Sequence, residues 1–197
     1  LANPPWAKSK PATDMESFDK PSSPTITEEY RQLNQQLHET PGVKYGYNGA
    51  AQAETVKALA KQYRCASILD YGAGKRTLSA ALKQMGCKDV RDYDPAIPEI
   101  AAPPRPADCV VCSDVLEHVE PELVDNVLDD LKRLTRKVAF VRICTVPCTS
   151  KALPDGSDPH RSVHDADWWH ERISQRFASV IHNIEPDERY VRMILKA

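Results

Sequence analysis

From residue 66 onward the sequence alternates short apolar runs with longer segments of helical periodicity, and this alternation constrains the fold more than any other feature. The short runs predict strands at 66–71, 89–94, 107–114 and 137–145, with a closing pair at 178–184 and 190–195. The segments between them predict helices at 75–85, 121–134 and 165–177. Such alternation produces parallel strands joined by right-handed helical crossovers. The sequence therefore predicts a doubly wound α/β sheet with helices on both faces.

The segment before these strands divides into an arm and two helices. Residues 1–24 contain five prolines and few aliphatic side chains, so they bury too little apolar surface to order themselves. Apolar residues then recur at helical spacing near Tyr30 and Leu37, and again over 50–63. We expect an extended Pro-rich arm, and a single folded domain over 25–197. The arm is expected to dock on a second copy of the chain or on a larger assembly.

Charge and hydropathy indicate which classes of partner this chain is not expected to bind. The 197 residues carry a formal net charge of −2 and contain no run of basic residues, so duplex DNA is not an expected partner. No apolar stretch approaches the roughly 20 residues that span a bilayer, and the N-terminus lacks the layout of a secretory signal. These features predict a cytoplasmic protein with no membrane contact.

Six cysteines raise the question of disulfides or zinc. Cys109 and Cys112 form a CxxC sequence, but they lie inside a predicted strand, where residues three apart point to opposite faces. They cannot readily share one metal ion. We expect reduced, buried or half-buried thiols, and we assign no metal ligand.

The ends of the predicted strands carry the candidate binding residues, because ligands of doubly wound sheets bind there. The first strand ends in ILDYGAG, where Gly72 and Gly74 permit a sharp turn and a close approach to a ligand. Asp94 ends the next strand, at about the separation where a carboxylate meets a ribose hydroxyl pair. A dinucleotide fingerprint needs a third glycine where this chain has Thr77, which argues against an NAD-dependent oxidoreductase.

The ordered series ILDYGAG, YDPAI and DVLEHVEPE resembles the motifs of class I S-adenosylmethionine-dependent methyltransferases, in particular small bacteriophage methyltransferase-domain proteins. The resemblance runs from YRQLNQQLHET to LPDGSDPHRSVHDADWWHERI, over residues 27–195. It implies a Rossmann-like sheet of seven strands, six parallel and one antiparallel. It also implies that S-adenosyl-L-methionine is the cofactor and that a phage-encoded chain would work in the host cytoplasm.

By this resemblance the cofactor site lies on three successive strand ends. The implied cofactor-binding residues are Asp70, Gly72, Gly74, Asp94, Ser113 and Asp114. Relatives of the phage type often have a small residue where this chain has Arg76. The Arg76 guanidinium would either pair with the cofactor carboxylate or crowd the pocket.

The acceptor side is predicted from the DVLEHV turn and from a polar stretch at 155–169. His118 is the candidate catalytic base, because a near-neutral pKa suits removal of a proton from a hydroxyl or amine. Glu117, His160 and Trp168 are the candidate acceptor-binding residues. Alternatives stay open: His118 as a packing residue, and the polar stretch as a plain structured loop or a metal site.

These features together predict a methyltransferase that acts on a small-molecule or nucleotide acceptor. The alternative is a catalytically inactive methyltransferase-like domain that serves as a binding or structural module in a larger assembly. Arg76 keeps this alternative open. The fold does not choose the acceptor, because methyl transfer from a sulfonium needs mainly alignment and exclusion of water.

Overall fold

The computed structural model describes residues 23–185 and 189–197. Within them five α-helices and six strands alternate largely as the sequence predicts. The helices are α1 (Glu28–Glu39), α2 (Ala53–Gln62), α3 (Thr77–Gln84), α4 (Val124–Leu134) and α5 (Ala166–Ser174). The strands are β1 (Ser67–Tyr71), β2 (Asp89–Tyr93), β3 (Ala107–Ser113), β4 (Thr135–Cys144), β5 (Ser179–Ile184) and β6 (Tyr190–Lys196). Residues 1–22 of the predicted arm lie outside this range, so the arm and its docking remain predictions.

The strands form one mixed sheet in the order β2-β1-β3-β4-β6-β5. Strands β1 to β4 are parallel, and β6 is antiparallel to both β4 and β5, so five strands share one direction. The expectation of seven strands, six of them parallel, is therefore wrong for the described residues. The connection 95–106 between β2 and β3 contains five prolines and forms only the 3-10 turn Pro98–Ile100. Proline cannot donate to a strand ladder, so this connection supplies no further strand.

Side chains alternate between the two faces of the sheet, as a period of two requires. Ile68 packs on one face with residues of α2 and α3, whereas Leu69 packs on the other with α4 and α5. Cys109 and Cys112 likewise lie in different core clusters, on opposite faces. All six cysteines are free thiols. The sheet is thus covered on both sides, and its carboxyl-end edge is left for a site.

Helix α1 lies against the connection that follows β3. The Thr27 hydroxyl caps α1 by accepting a hydrogen bond from the Tyr30 backbone nitrogen, at 3.2 Å. Thr27 is itself held by Glu120, which accepts from its backbone nitrogen at 2.9 Å and from its hydroxyl at 2.5 Å. Because Glu120 belongs to the segment between β3 and α4, this pair fixes where the helix begins relative to the sheet.

No helix in the described part of the chain combines the length and the apolar character needed to cross a membrane.

Helix α3 begins at Thr77, two residues later than expected, because Arg76 adopts a left-handed conformation with φ 59°. The helix dipole therefore starts after a strained turn, close to the carboxyl ends of β1 and β2.

Candidate active site

A cavity of about 430 Å³ opens at the carboxyl ends of β1 to β4. Its volume lies in the range of small-molecule sites. All but one of the sequence-predicted site residues line it, namely Asp70, Gly72, Gly74, Asp94, Ser113, Asp114, Glu117, His118 and His160. The structure thus brings the predicted cofactor residues and most of the predicted acceptor residues to one space.

The glycine turn after β1 is tied to the end of β2. The backbone nitrogen of Gly72 donates to the Tyr93 carbonyl at 2.8 Å, and that of Gly74 donates to Asp94 Oδ2 at 3.0 Å. The other oxygen of Asp94, Oδ1, accepts from the Ala96 backbone nitrogen at 3.0 Å. Asp94 therefore links the turn after β1 to the segment after β2, and each of its oxygens has a lone pair left for another donor.

Asp70 lies on β1 beneath this turn and is buried. Burial raises the pKa of Asp70 to about 8, and the neighbouring carboxylates of Asp92 and Asp94 raise it further in the same direction. Asp70 therefore keeps its proton at neutral pH, so it would offer a donor as well as an acceptor to the cavity.

Asp114 follows β3 in a left-handed conformation, with φ 58°. It forms a short ion pair with Arg142 of β4 and accepts from Asn48 Nδ2 at 3.4 Å. Arg142 also donates to Glu185 at 2.7 Å. Burial raises the pKa of Asp114, although Arg142 opposes this shift. The neighbouring Ser113 hydroxyl is buried and has no hydrogen-bond partner among the described residues, which leaves one polar group available to a ligand.

Glu117 occupies the turn after β3 and is almost fully buried. Its Oε1 accepts from the backbone nitrogen of Cys144, at the end of β4, at 3.1 Å. Its Oε2 is buried and has no hydrogen-bond partner in the part of the chain that the structure describes. Burial raises the pKa of Glu117 to about 8, and the carboxylate of Asp114 adds to the rise. An unpartnered buried oxygen is costly, so this side chain is suited to receive a ligand.

His118 does not have the near-neutral pKa that the sequence-based interpretation required. Burial, followed by the nearby His160, lowers the pKa of His118 to about 3. Its Nδ1 lies 2.9 Å from the Pro159 carbonyl, which can only accept, so Nδ1 carries the proton. The ring is therefore neutral, with Nε2 as its acceptor, and is a weak base. Burial overturns the pKa argument because it penalises the charged imidazolium.

His160 comes from the long segment between β4 and α5, which is pinned to the turn after β3. Ser162 donates from its backbone nitrogen to the Glu117 carbonyl at 2.9 Å and from its hydroxyl to the Val119 carbonyl at 2.7 Å. These bonds place His160 beside His118, with the ring centroids 4.8 Å apart. The predicted acceptor stretch thus reaches the cavity through His160.

Trp168, the remaining predicted site residue, and Arg76 do not line the cavity. Trp168 stacks on His164 at 3.6 Å and packs edge-on against the fully buried Trp169. Its assignment to the acceptor site stays a prediction. Arg76 is exposed and also absent from the lining, so its guanidinium does not crowd this space.

Three cavity-lining side chains of α1 were missed by the sequence analysis. Tyr30, Asn34 and His38 follow one another at spacings of four, which places them on one face of the helix. That polar and aromatic stripe is the signal that could have identified them. Arg142 was also missed, although a charged residue inside an apolar strand is itself unusual.

Comparison with known protein families shows to which family this chain belongs. A family model described as "Methyltransferase domain" matches residues 44–185, which is more than half of the chain. The chain belongs to this methyltransferase family. The cofactor of the family is S-adenosylmethionine. No protein of curated function matches this sequence.

Solved structures similar to this chain share its fold at low identity. The 1,6-didemethyltoxoflavin-N1-methyltransferase of Burkholderia thailandensis has a TM-score of 0.60 and 15% identity, with 90% of this chain and 92% of that chain covered. Human N-acetylserotonin methyltransferase has a TM-score of 0.57 and 14% identity, with 85% and 57% covered. An O-methyltransferase family protein from B. thailandensis has a TM-score of 0.53 and 14% identity, with 75% of this chain and 57% of that chain covered. The chain thus spans little more than half the length of the last two.

These similarities support the Rossmann-like methyltransferase fold and leave other expectations untested. The bacteriophage resemblance and the cytoplasmic location remain predictions. The toxoflavin enzyme was crystallised with 1,6-didemethyltoxoflavin and S-adenosylhomocysteine, and the human enzyme with S-adenosylmethionine.

Proposed function

We propose that this chain transfers a methyl group from S-adenosylmethionine to a small-molecule acceptor. The observation that carries the proposal is the single cavity in which the Gly72–Gly74 turn and Asp94 lie opposite Glu117, His118 and His160. The first group suits the cofactor, and the second suits the acceptor. A protein of similar fold binds the small molecule 1,6-didemethyltoxoflavin, which supports the choice of a small acceptor.

The residues present fit the cofactor. A Cβ on Gly72 or Gly74 would meet other atoms at under 3.0 Å, so this turn has no room for a side chain at either position. Asp94 keeps one lone pair on each oxygen for the ribose hydroxyls, and Ser113 offers an unpartnered hydroxyl. When bound, S-adenosylmethionine supplies a methyl group activated by its sulfonium.

The chain itself would position the acceptor and exclude water. His118 stays neutral and fixed by Pro159, so we assign its Nε2 to accept a hydrogen bond from the acceptor hydroxyl or amine. This orients the attacking atom without placing a charge in the cavity. Tyr45 braces the same ring: its hydroxyl donates to Asn34 Oδ1 at 3.0 Å and lies 3.4 Å from His118 Nδ1. Helix α1 covers this side and limits the access of water.

Calorimetry tests the proposal with S-adenosylmethionine and the full chain. We expect measurable binding, weakened about tenfold or more in Asp94→Ala, because a carboxylate that accepts two hydroxyl hydrogen bonds contributes on the order of 1.5–3 kcal/mol. Asp89→Ala, at the exposed start of β2, is the matched control and should bind as the unaltered chain does.

Methyl transfer is then measured with labelled S-adenosylmethionine and a panel of phenols, alcohols, amines and nucleotides. Label in a small product supports the proposal. No binding heat with the unaltered chain, or equal affinity in Asp94→Ala, would contradict the cofactor site. Cofactor binding with no transfer to any acceptor would favour the inactive module instead.

A further inference from the structure

Three side chains of different chemistry meet at the acceptor end of the cavity. Glu117, Cys144 and His160 each offer one potential ligand atom, and these atoms all lie within 4.8 Å of one another. Glu117 and Cys144 are buried, and His160 is half-buried. The donors are an oxygen, a sulfur and an imidazole nitrogen, which together are typical ligands of zinc.

Two of the donors are set by adjacent parallel strands. Glu117 follows β3 and Cys144 ends β4, so their side chains meet where the carboxyl ends of these strands meet. Glu117 Oε1 accepts from the Cys144 backbone nitrogen, and this bond fixes the carboxylate against the strand end. The other oxygen, Oε2, is buried and has no hydrogen-bond partner within residues 23–185 and 189–197. The fold has therefore placed a carboxyl oxygen with an open lone pair beside a thiol.

The third donor is oriented by the backbone. His160 Nδ1 lies 2.7 Å from the Val146 carbonyl, which can only accept, so Nδ1 carries the proton and Nε2 has the free lone pair. Histidines that bind metals in proteins are held in this way, by a carbonyl or carboxylate on the other nitrogen. The Cys144 thiol lies 3.6 Å from the same carbonyl.

We propose that Glu117, Cys144 and His160 bind one zinc ion. Zinc–ligand bonds of about 2.0–2.3 Å place tetrahedral donors roughly 3.5 Å apart, so the three atoms need to close by about 1.3 Å or less. The protons of the Cys144 thiol and of the Glu117 carboxyl leave to solvent on binding, and the resulting thiolate and carboxylate balance the charge of the ion. Three protein ligands leave the fourth position to a water molecule or to an acceptor heteroatom in the cavity.

This site goes beyond methyl transfer, because zinc binding needs neither cofactor nor acceptor. The sequence-based interpretation assigned no metal, since it examined the cysteines as a CxxC pair and the histidines within their own loop. Only the path of the segment between β4 and α5 brings His160 to Cys144.

The test uses the full chain without an affinity tag, stripped with a chelator and titrated with Zn²⁺ and, separately, with Co²⁺. We expect about one zinc per chain, and a cobalt complex with the near-ultraviolet absorption of a thiolate-to-metal transition. Cys144→Ser should abolish that absorption. Glu117→Gln and His160→Ala should keep the absorption and weaken zinc binding by about tenfold or more.

Cys148→Ser is the matched control, since Cys148 is a half-buried thiol that lines the same cavity. It should retain both the absorption and the affinity. Circular dichroism checks each variant for folding, and the half-buried His160→Ala variant serves if Cys144→Ser does not fold. Absence of stoichiometric zinc, or a cobalt absorption that is lost in Cys148→Ser but survives Cys144→Ser, would overturn the site. Calorimetry with S-adenosylmethionine on the zinc-free chain keeps this result separate from the proposed function.

Discussion

Gly72 lies so close to Val115 that a Cβ placed on the glycine would stand 2.3 Å from Val115 Cγ2. The glycine turn after β1 therefore packs directly on the residue that follows Asp114, beyond the end of β3. Gly72 also has φ 79°, a backbone conformation that L side chains rarely adopt. Two independent constraints thus demand glycine at this point of the site.

Replacing Gly72 with alanine should lower the free energy of unfolding by about 2–5 kcal/mol. Left-handed backbone strain accounts for about 1–2 kcal/mol, and the clash with Val115 adds about 1–3 kcal/mol. Urea denaturation measures the loss. Gly86→Ala is the control, because Gly86 has φ 91° but no atom within 4 Å of its added Cβ. It should lose only the strain.

The double variant Gly72→Ala/Val115→Ala separates the two causes. Removal of the Val115 methyl groups should recover part of the stability lost in Gly72→Ala. Equal losses in Gly72→Ala and Gly86→Ala, or no recovery in the double variant, would show that the contact with Val115 costs nothing.

Asp70 should make stability depend on pH. Its pKa is about 8 in the folded chain, against an ordinary value of about 3.9 in the unfolded chain. Between these values the folded state keeps a proton that the unfolded state has released, so rising pH progressively removes stability. Asp70→Asn has no proton to lose at this position. Its advantage over the unaltered chain should therefore grow with pH.

The measurement compares the two chains by urea denaturation at about pH 5.5 and about pH 8.5. We expect the difference in free energy of unfolding to move in favour of Asp70→Asn by on the order of 3 kcal/mol between the two conditions. A difference that is the same at both pH values would mean that Asp70 titrates normally.

Arg142 should be a strong determinant of stability near the site. Its side chain is 12% exposed, and it pairs with two carboxylates, Asp114 and Glu185. Arg142→Leu leaves both carboxylates without this cation in a buried place, so we expect a loss of about 3 kcal/mol. Arg31→Leu is the control: Arg31 pairs with the largely exposed Glu28 on α1, and such pairs contribute less than about 1 kcal/mol. Similar losses in the two variants would show that burial does not strengthen the dependence on Arg142.

Duplex DNA should bind weakly and without a steep dependence on salt. Each neutralised phosphate adds nearly one unit to the salt slope, and a chain of formal charge −2 offers few cations for this purpose. A titration of the full chain with duplex DNA at rising salt measures both quantities. Submicromolar affinity at physiological salt with a steep slope would contradict this prediction and reopen a polynucleotide acceptor.

Local sequence patterns determined the elements and the turn between β1 and α3. Strand β1 begins one residue later than predicted, and α4 begins three residues later, after the 3-10 turn Pro121–Leu123. Such patterns are reliable because strand and helix periodicity reflects which side chains a nearby core must receive. The same patterns gave no seventh strand, and its expectation came from the family resemblance alone.

The sequence by itself determined the strand ends and therefore many of the residues that surround the cavity, because parallel strands must end at one edge of their sheet. Tertiary structure alone decided the rest. Burial, a property of the whole fold, moved the pKa of His118 away from neutrality. The direction of α5 turned Trp168 to His164, and the path of a long loop joined His160 to Glu117 and Cys144. Desolvation and contacts between distant segments depend on how parts of the chain that are far apart in sequence pack together, which no local pattern encodes.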